Sequence, residues 1–239
     1  MIVDKIVQCR QKLTEEGGRK MLKRIQPVLM ESGIKLGRDT LFELLRKYDL
    51  GVKWRKNYVR TTNSLHRFHV YSNLIKEIKA QRSNEVWVSD ITYISTRAGF
   101  MYLALITDAY SRKIVGYDIS DSLELHGCLR ALKMALAQRS STLPLIHHSD
   151  RGIQYCSHAY TRLLNSNNVQ ISMAAKGNCY ENAMAERVNG ILKKEFYLDQ
   201  EFASKKVAVN AVKDAIYRYN YVRFHLRLNY QTPASVHAA

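Results

Sequence analysis

Residues 86–119 read VWVSDITYISTRAGFMYLALITDAYSRKIVGYDI, and this stretch decides the fold. It contains three runs rich in apolar and β-branched residues, separated by two short turn sequences. The predicted strands are Val86–Ile94, Phe100–Asp108 and Lys113–Ile119. Because connections this short join antiparallel neighbours, the three strands are predicted to form a meander.

After the meander, the chain alternates between helical and strand patterns. One predicted helix carries a leucine face at Leu125, Leu129, Leu132 and Leu136, which is the spacing of one helix side. It is followed by a predicted strand at Leu143–His148, a helix near 157–166, a strand at Val169–Met173 and a last helix with Asn178 as its N-cap. The order βββαβαβα is that of the ribonuclease H-like fold, an α/β architecture with a mixed five-stranded sheet flanked by helices.

The first third of the chain is predicted to be helical. Helices are expected over residues 4–16, 18–31 and 38–48, and Pro27 is expected to kink or split the second one. Two helices around a short glycine-containing turn indicate one of two structures: a helix-turn-helix-like DNA-binding unit, or a small helical bundle with a solvated basic face.

The predicted organisation has two parts. Residues 1–80 form a basic helical region that ends in a short helix at 71–80, and residues 81–239 form the catalytic core with a C-terminal helical extension. The net charge is +16, and residues 1–80 hold 18 Lys and Arg against 8 Asp and Glu. A surplus of this size exceeds what solubility requires and favours a polyanionic partner.

The sequence gives no indication of a membrane or secretory protein. The apolar run at Phe100–Ile106 has the length of a strand and is too short to span a bilayer. No signal peptide follows Met1, so a cytoplasmic, nucleoid-associated location is expected and no membrane partner. The four cysteines lack paired spacing, which predicts free thiols and argues against a zinc site.

Three acids are the candidate catalytic residues. Asp90 lies within the first strand, Asp150 follows the fourth, and Glu186 lies on the last helix of the core, with 59 and 35 residues between them. An acid beside a buried strand is costly without a counter-charge, and a divalent cation supplies one. Two such ions about 3.5–4 Å apart can hold the attacking and leaving oxygens of a phosphoryl transfer.

Other polar residues near these acids are interpreted more conservatively. Asp108 and Asp118 flank a tight hairpin, where acids commonly form turns or pair with cations. His147 and His148 precede Asp150, and we interpret them as supporting or packing residues rather than metal ligands.

Five segments, taken in order, resemble the integrase-core transposases of bacterial insertion sequences, specifically the orfB type with a retroviral-integrase-like catalytic core. They are DITYI, SRKIVGY, HHSDRGIQY, GNCYENAMAERVNGILKKE and YNYVRFHLRLNYQTP. The resemblance covers residue 85 to the C terminus well and residues 16–75 loosely. Glu181 stands where Asp is usual and Phe224 where Pro is usual, and neither departure affects the three acids.

The resemblance implies a mechanism and a set of site residues. Asp90, Asp150 and Glu186 would bind Mg²⁺ or Mn²⁺, as a two-metal site, and water would nick DNA at the ends of the element. The freed 3′-hydroxyl would then join a second phosphodiester. The expected DNA contacts are Lys193, Asn182, Arg187, Lys194, Arg223, Arg38, Arg46 and Lys47.

The expected partners are double-stranded DNA, namely terminal inverted repeats and target DNA, and further copies of this chain assembled on it. The resemblance also implies an upstream reading-frame product, separate or fused. Two alternatives stay open: a ribonuclease H-type nuclease that hydrolyses without joining, and a catalytically silent DNA-binding fragment that needs or competes with the upstream product.

Overall fold

The computed structural model describes residues 2–12, 16–52, 67–175 and 182–239. The predicted N-cap Asn178 lies outside these residues. The helices are α1 (Ile2–Lys12), α2 (Gly18–Met30), α3 (Arg38–Lys47), α4 (Leu125–Gln138), α5 (Ile153–Cys156), α6 (His158–Asn165), α7 (Ala183–Glu195), α8 (Lys205–Tyr221) and α9 (Pro233–Ala238). The strands are β1 (Val86–Thr96), β2 (Gly99–Asp108), β3 (Ile114–Ser120), β4 (Leu145–Ser149) and β5 (Val169–Met173).

The strands form one five-stranded sheet in the order β3-β2-β1-β4-β5. The pairs β1–β2 and β2–β3 are antiparallel, whereas β1–β4 and β4–β5 are parallel. The predicted antiparallel meander and the mixed five-stranded sheet are therefore confirmed. The parallel connections run through α4 and through α5 with α6, as crossovers between parallel strands require.

Helices cover both faces of the sheet. Successive side chains of a strand point to opposite faces, so on β2 Leu103 and Leu105 belong to the core under α7 and α8. Ala104 and Ile106 belong to the opposite core, with α4, α5 and α6. At Gly116 on β3, a side chain would collide with the backbone carbonyl of Ala131; glycine is what lets α4 lie so close to the sheet.

Two local predictions need correction. Residues 71–80 do not form a helix. Instead, the Leu74 N–H donates to Ser172 Oγ at 2.9 Å, and the Met173 N–H donates to the Ser72 carbonyl at 3.3 Å. The segment thus covers the end of the edge strand β5, whose free backbone groups outweigh the local helical preference. Helix α2, in turn, continues through Pro27 to Met30, so the predicted split is wrong, whereas the kink stays a prediction.

The N-terminal helices have their own apolar core, to which Ile6, Met21, Leu29 and Leu41 contribute. The predicted boundary near residue 80 stays a prediction. Helix α2 also contacts the C-terminal part of the chain, because Arg24 donates to the Val222 carbonyl at 2.7 Å and its guanidinium lies 4.2 Å from the Phe224 ring centroid.

Three of the cysteines, Cys9, Cys128 and Cys156, are buried free thiols, which confirms that prediction for them. Across the described part of the chain, no helix combines the length and apolar character needed to cross a membrane.

Candidate active site

The register of the parallel strands brings two of the three acids together. Strand β1 pairs with β4 over Val86–Val88, and Val88 lies opposite His148. Asp90 and Asp150 are each two residues beyond this pair, so they lie at the same level: Asp90 within β1, which continues to Thr96, and Asp150 directly after the end of β4. The edge outside the carboxyl ends of parallel strands is where α/β proteins place their ligand sites.

Helix α7 brings the third acid. Glu186 lies in its first turn and is exposed. Two amides hold α7 against β1: Asn182 Nδ2 donates to the Ser89 carbonyl at 3.3 Å, and Asn189 Nδ2 donates to Asp90 Oδ2 at 2.7 Å. The sequence interpretation missed Asn189. Its spacing of three residues from Glu186, which places both on one side of a helix, was the available signal.

The three carboxylates influence one another electrostatically. Burial, followed by the negative charge of Asp150, raises the pKa of Asp90 to about 7, and Glu186 adds to this rise. Burial, followed by the negative charge of Asp150, also raises the pKa of Glu186. Mutual repulsion of this kind means that the three acids share one region and that a cation there would be stabilising.

This donor set fits a hard divalent cation, because Mg²⁺ and Mn²⁺ favour carboxylate oxygens. As the side chains are placed, no three His, Cys, Asp or Glu residues within the described ranges are close enough together to hold a metal ion. Mg²⁺ sites commonly use few protein ligands and complete their shell with water and substrate phosphate.

Asp90 gives the metal-free protein a defined pH dependence. Its folded pKa of about 7 exceeds the ordinary value of 3.8, so the folded state binds more protons than the unfolded state between these values. The contribution of Asp90 to the free energy of unfolding is therefore largest at low pH and is lost as the pH rises through 7. Asp90→Asn should therefore stabilise the protein in EDTA at pH 8, by up to about 4 kcal/mol, and by less than half of that at pH 5. Thermal unfolding of both proteins at the two pH values measures this, and an equal difference at both would contradict it.

The predicted DNA-contact residues divide into exposed and buried groups. Arg187, Arg38, Arg46 and Lys47 are exposed, and Lys194 is partly exposed. Lys193 lies with Nζ 3.8 Å from the Tyr93 ring centroid. Burial lowers the pKa of Lys193, opposed by the carboxylates of Asp199 and Asp90, so its ammonium group lies close to the acid site.

Two predicted DNA contacts are corrected by their burial. Arg223 is 4% exposed and makes a two-point ion pair with Glu195, with N–O distances of 2.6 Å. Asn182 is also 4% exposed, and its amide binds the Ser89 carbonyl. Both side chains hold elements of the protein together, and neither presents its polar atoms to a phosphate.

The observed contacts agree with the structural roles predicted for the two hairpin acids and the two histidines. Asp108 accepts hydrogen bonds at 2.7 Å from the Asn84 N–H, the Ser111 N–H and the Ser111 hydroxyl, which fixes the hairpin turn. Asp118 pairs with Arg130 at 2.8 Å. His147 and His148 are buried in the sheet and bonded to Ser89 and Ser172.

Comparison with known families identifies an integrase core domain over residues 80–179 and again over residues 167–233. The chain is 38% identical over 215 residues to the IS600 uncharacterized 31 kDa protein of Shigella sonnei, covering 89% of this chain and 79% of that one. It is 36% identical over 227 residues to the IS904 transposase of Lactococcus lactis subsp. lactis, covering 92% and 87%.

Solved structures show the same fold at low identity. The HTLV-2 integrase catalytic core in complex with magnesium matches with a TM-score of 0.54 and 17% identity, covering 66% of this chain and 99% of that one. A chain of the simian T-cell lymphotropic virus intasome matches with a TM-score of 0.57 and 18% identity, covering 93% and 75%. The predicted ribonuclease H-like architecture is therefore confirmed.

Proposed function

This chain belongs to the insertion-sequence transposases that carry an integrase core domain, and from this premise we propose how its residues cut and join DNA. Asp90, Asp150 and Glu186 hold one or two divalent cations, Mg²⁺ or Mn²⁺. The observation that carries the proposal is the common level of Asp90 on β1 and Asp150 at the carboxyl end of β4, with Glu186 close enough for the acids to raise each other's pKa.

When bound, a divalent cation lowers the pKa of water and stabilises charge on the phosphodiester oxygens. The chain's own residues supply the rest. Asn189 donates to one oxygen of Asp90 and so fixes the orientation of that carboxylate. Lys193 places a positive charge beside the acids, where a DNA phosphate would replace the Tyr93 ring as its partner. The same acids serve both steps: water attacks first, then the freed 3′-hydroxyl.

Double-stranded DNA is the proposed substrate and partner. The net charge of +16 supplies the long-range attraction, and Arg187 and Lys194 lie on the helix that carries Glu186. The exposed Arg38, Arg46 and Lys47 make α3 the candidate for contacts with the ends of the element. Because such binding releases counterions, its affinity should fall steeply with salt concentration.

We further propose that several copies assemble on the DNA, since joining two ends to a target needs more than one active site. The simian T-cell lymphotropic virus relative was solved as an intasome, which supports assembly for this fold. An upstream reading-frame product, separate or fused, completes the proposed complex.

The test uses the purified chain with Mg²⁺ or Mn²⁺, labelled DNA carrying its own element's ends, and a plasmid target. The proposal expects nicked ends and joined products, both lost in EDTA. Nicking without joining would favour the ribonuclease H-type alternative. DNA binding without nicking, restored by adding the upstream product, would favour the silent-fragment alternative.

A further inference from the structure

A buried polar cluster lies directly under the acid site. Ser89 precedes Asp90 on β1 and has no exposed surface, and His147 on β4 is 1% exposed. The Ser89 Oγ lies 2.7 Å from His147 Nε2, and the Tyr160 hydroxyl of α6 lies 3.0 Å from the same nitrogen. Polar groups this deeply buried are held in place by the bonds they make.

His147 remains an uncharged partner in this cluster. Burial, with a smaller contribution from His148, lowers the pKa of His147 to about 3. The imidazole is therefore neutral at physiological pH and acts through hydrogen bonds rather than charge.

Ser89 connects all three elements that carry the acids. It lies on β1, one residue before Asp90. Its hydroxyl bonds to His147 on β4, three residues before Asp150. Its carbonyl accepts from Asn182 at the start of α7, four residues before Glu186. This one serine is therefore bonded to the two other elements that carry acids, and each bond lies within four residues of the acid on that element.

The position of the cluster explains why a side-chain bond is needed there. Backbone pairing between β1 and β4 ends at Val88 and His148, so it no longer sets the strand separation where the acids lie. His147 pairs with Trp87, and Ser89 is two residues farther along on the same face. Diagonal neighbours of this kind are within reach across a sheet.

We propose that Ser89 is a positioning residue, whose hydroxyl bond to His147 sets the distance between Asp90 on β1 and Asp150 at the end of β4 for metal binding. The inference rests on the proposed function of these acids as metal ligands. Residues that orient metal ligands commonly change metal affinity about 10- to 100-fold when removed.

The test compares Ser89→Ala with Ser172→Ala. Ser172 makes a similar buried bond to His148, at 2.8 Å, but this bond links β4 to β5, a strand that carries none of the three acids. The Mn²⁺ dissociation constant is measured by electron paramagnetic resonance, and the Mg²⁺ concentration for half-maximal DNA nicking is measured in parallel. We expect Ser89→Ala to raise both values about 10-fold, Ser172→Ala to leave them within about 2-fold, and Ser89→Thr, which keeps the hydroxyl, to restore most of the affinity.

Thermal unfolding of each variant separates positioning from general stability. Both alanine variants lose one buried Ser–His bond, and Ser172→Ala also loses the acceptor of the Leu74 N–H, so Ser172→Ala should unfold at an equal or lower temperature than Ser89→Ala. Equal losses of Mn²⁺ affinity in the two alanine variants would overturn the proposal, as would unchanged affinity in Ser89→Ala. If the wild-type chain binds no Mn²⁺, the proposed function of the acids fails first and the inference fails with it.

Discussion

Asp150→Asn should abolish both nicking and joining, by at least about 10³-fold, which corresponds to about 4 kcal/mol of transition-state stabilisation. The amide replaces a charged ligand with a neutral one at the point where β4 ends and α5 begins. The fold should survive, because the asparagine Oδ1 can still accept the hydrogen bond that the Gly152 N–H now gives to Asp150 Oδ1 at 2.9 Å. Removing one of three repelling acids should leave the metal-free unfolding temperature equal or higher.

The measurement is cleavage and strand transfer of labelled element ends, with DNA affinity measured separately by gel shift. DNA binding should stay within a few-fold of wild type. Asp118→Asn is the matched control, since Asp118 also lies on a strand but pairs with Arg130; it should keep its activity. Residual activity above about one per cent in Asp150→Asn would remove Asp150 from the proposed set of ligands.

Glu195→Gln should be the most destabilising of the substitutions considered. Glu195 bonds to Arg223 through both oxygens at 2.6 Å and lies 3.4 Å from Lys20 on α2. The side chains of Arg223 and Lys20 are 5% and 8% exposed, so both would stay buried without the carboxylate that now pairs with them. Breaking such a pair costs about 3–5 kcal/mol, or a fall of roughly 10 °C in unfolding temperature for a chain of this size.

Lys20 adds a second observable to the Glu195 variant. Burial is the main cause that lowers the pKa of Lys20 to about 8, and Glu195 is one of the groups that oppose this. Without Glu195, the pKa of Lys20 should fall further, so that Lys20 loses its proton near neutral pH and the link between α2 and α7 weakens.

The control for this prediction is Asp214→Ala, which removes an exposed ion pair with Arg218 on α8. Exposed pairs contribute about 0–1 kcal/mol, so this variant should unfold within a few degrees of wild type. Chemical denaturation of the two variants beside wild type measures the difference. A loss under about 1 kcal/mol in Glu195→Gln would mean that water reaches Arg223 and Lys20 more freely than their burial indicates.

Local sequence was sufficient to predict the meander and to select the three acids as candidates. The alternation along β2, with Leu103 and Leu105 facing one way and Ala104 and Ile106 the other, follows from the period of a strand. The positions of Asp90 and Asp150 beside apolar strands pointed to a shared edge for the same reason. Burial of an acid there needs compensation, and that requirement is visible in the sequence.

Residues 71–80 show where the local sequence pattern predicts the wrong structure. Its apolar spacing suits a helix, yet Ser72 and Leu74 bond to residues 172 and 173 of β5. The edge strand offers the Met173 N–H and the Ser172 hydroxyl as partners, whereas a short isolated helix is only marginally stable. The deciding partner lies 98 positions away from Leu74.

The sequence by itself determined the fold class and the strand meander and predicted the three acids, because each depends on the spacing of residues within one element or on the charge of a single side chain. Only the tertiary structure decided that Arg223 pairs with Glu195, 28 positions away, and that Ser89 meets His147, 58 positions away. Burial and pairing depend on which elements pack together, and a side chain's polar atoms can serve DNA or the protein interior with the same local sequence around them.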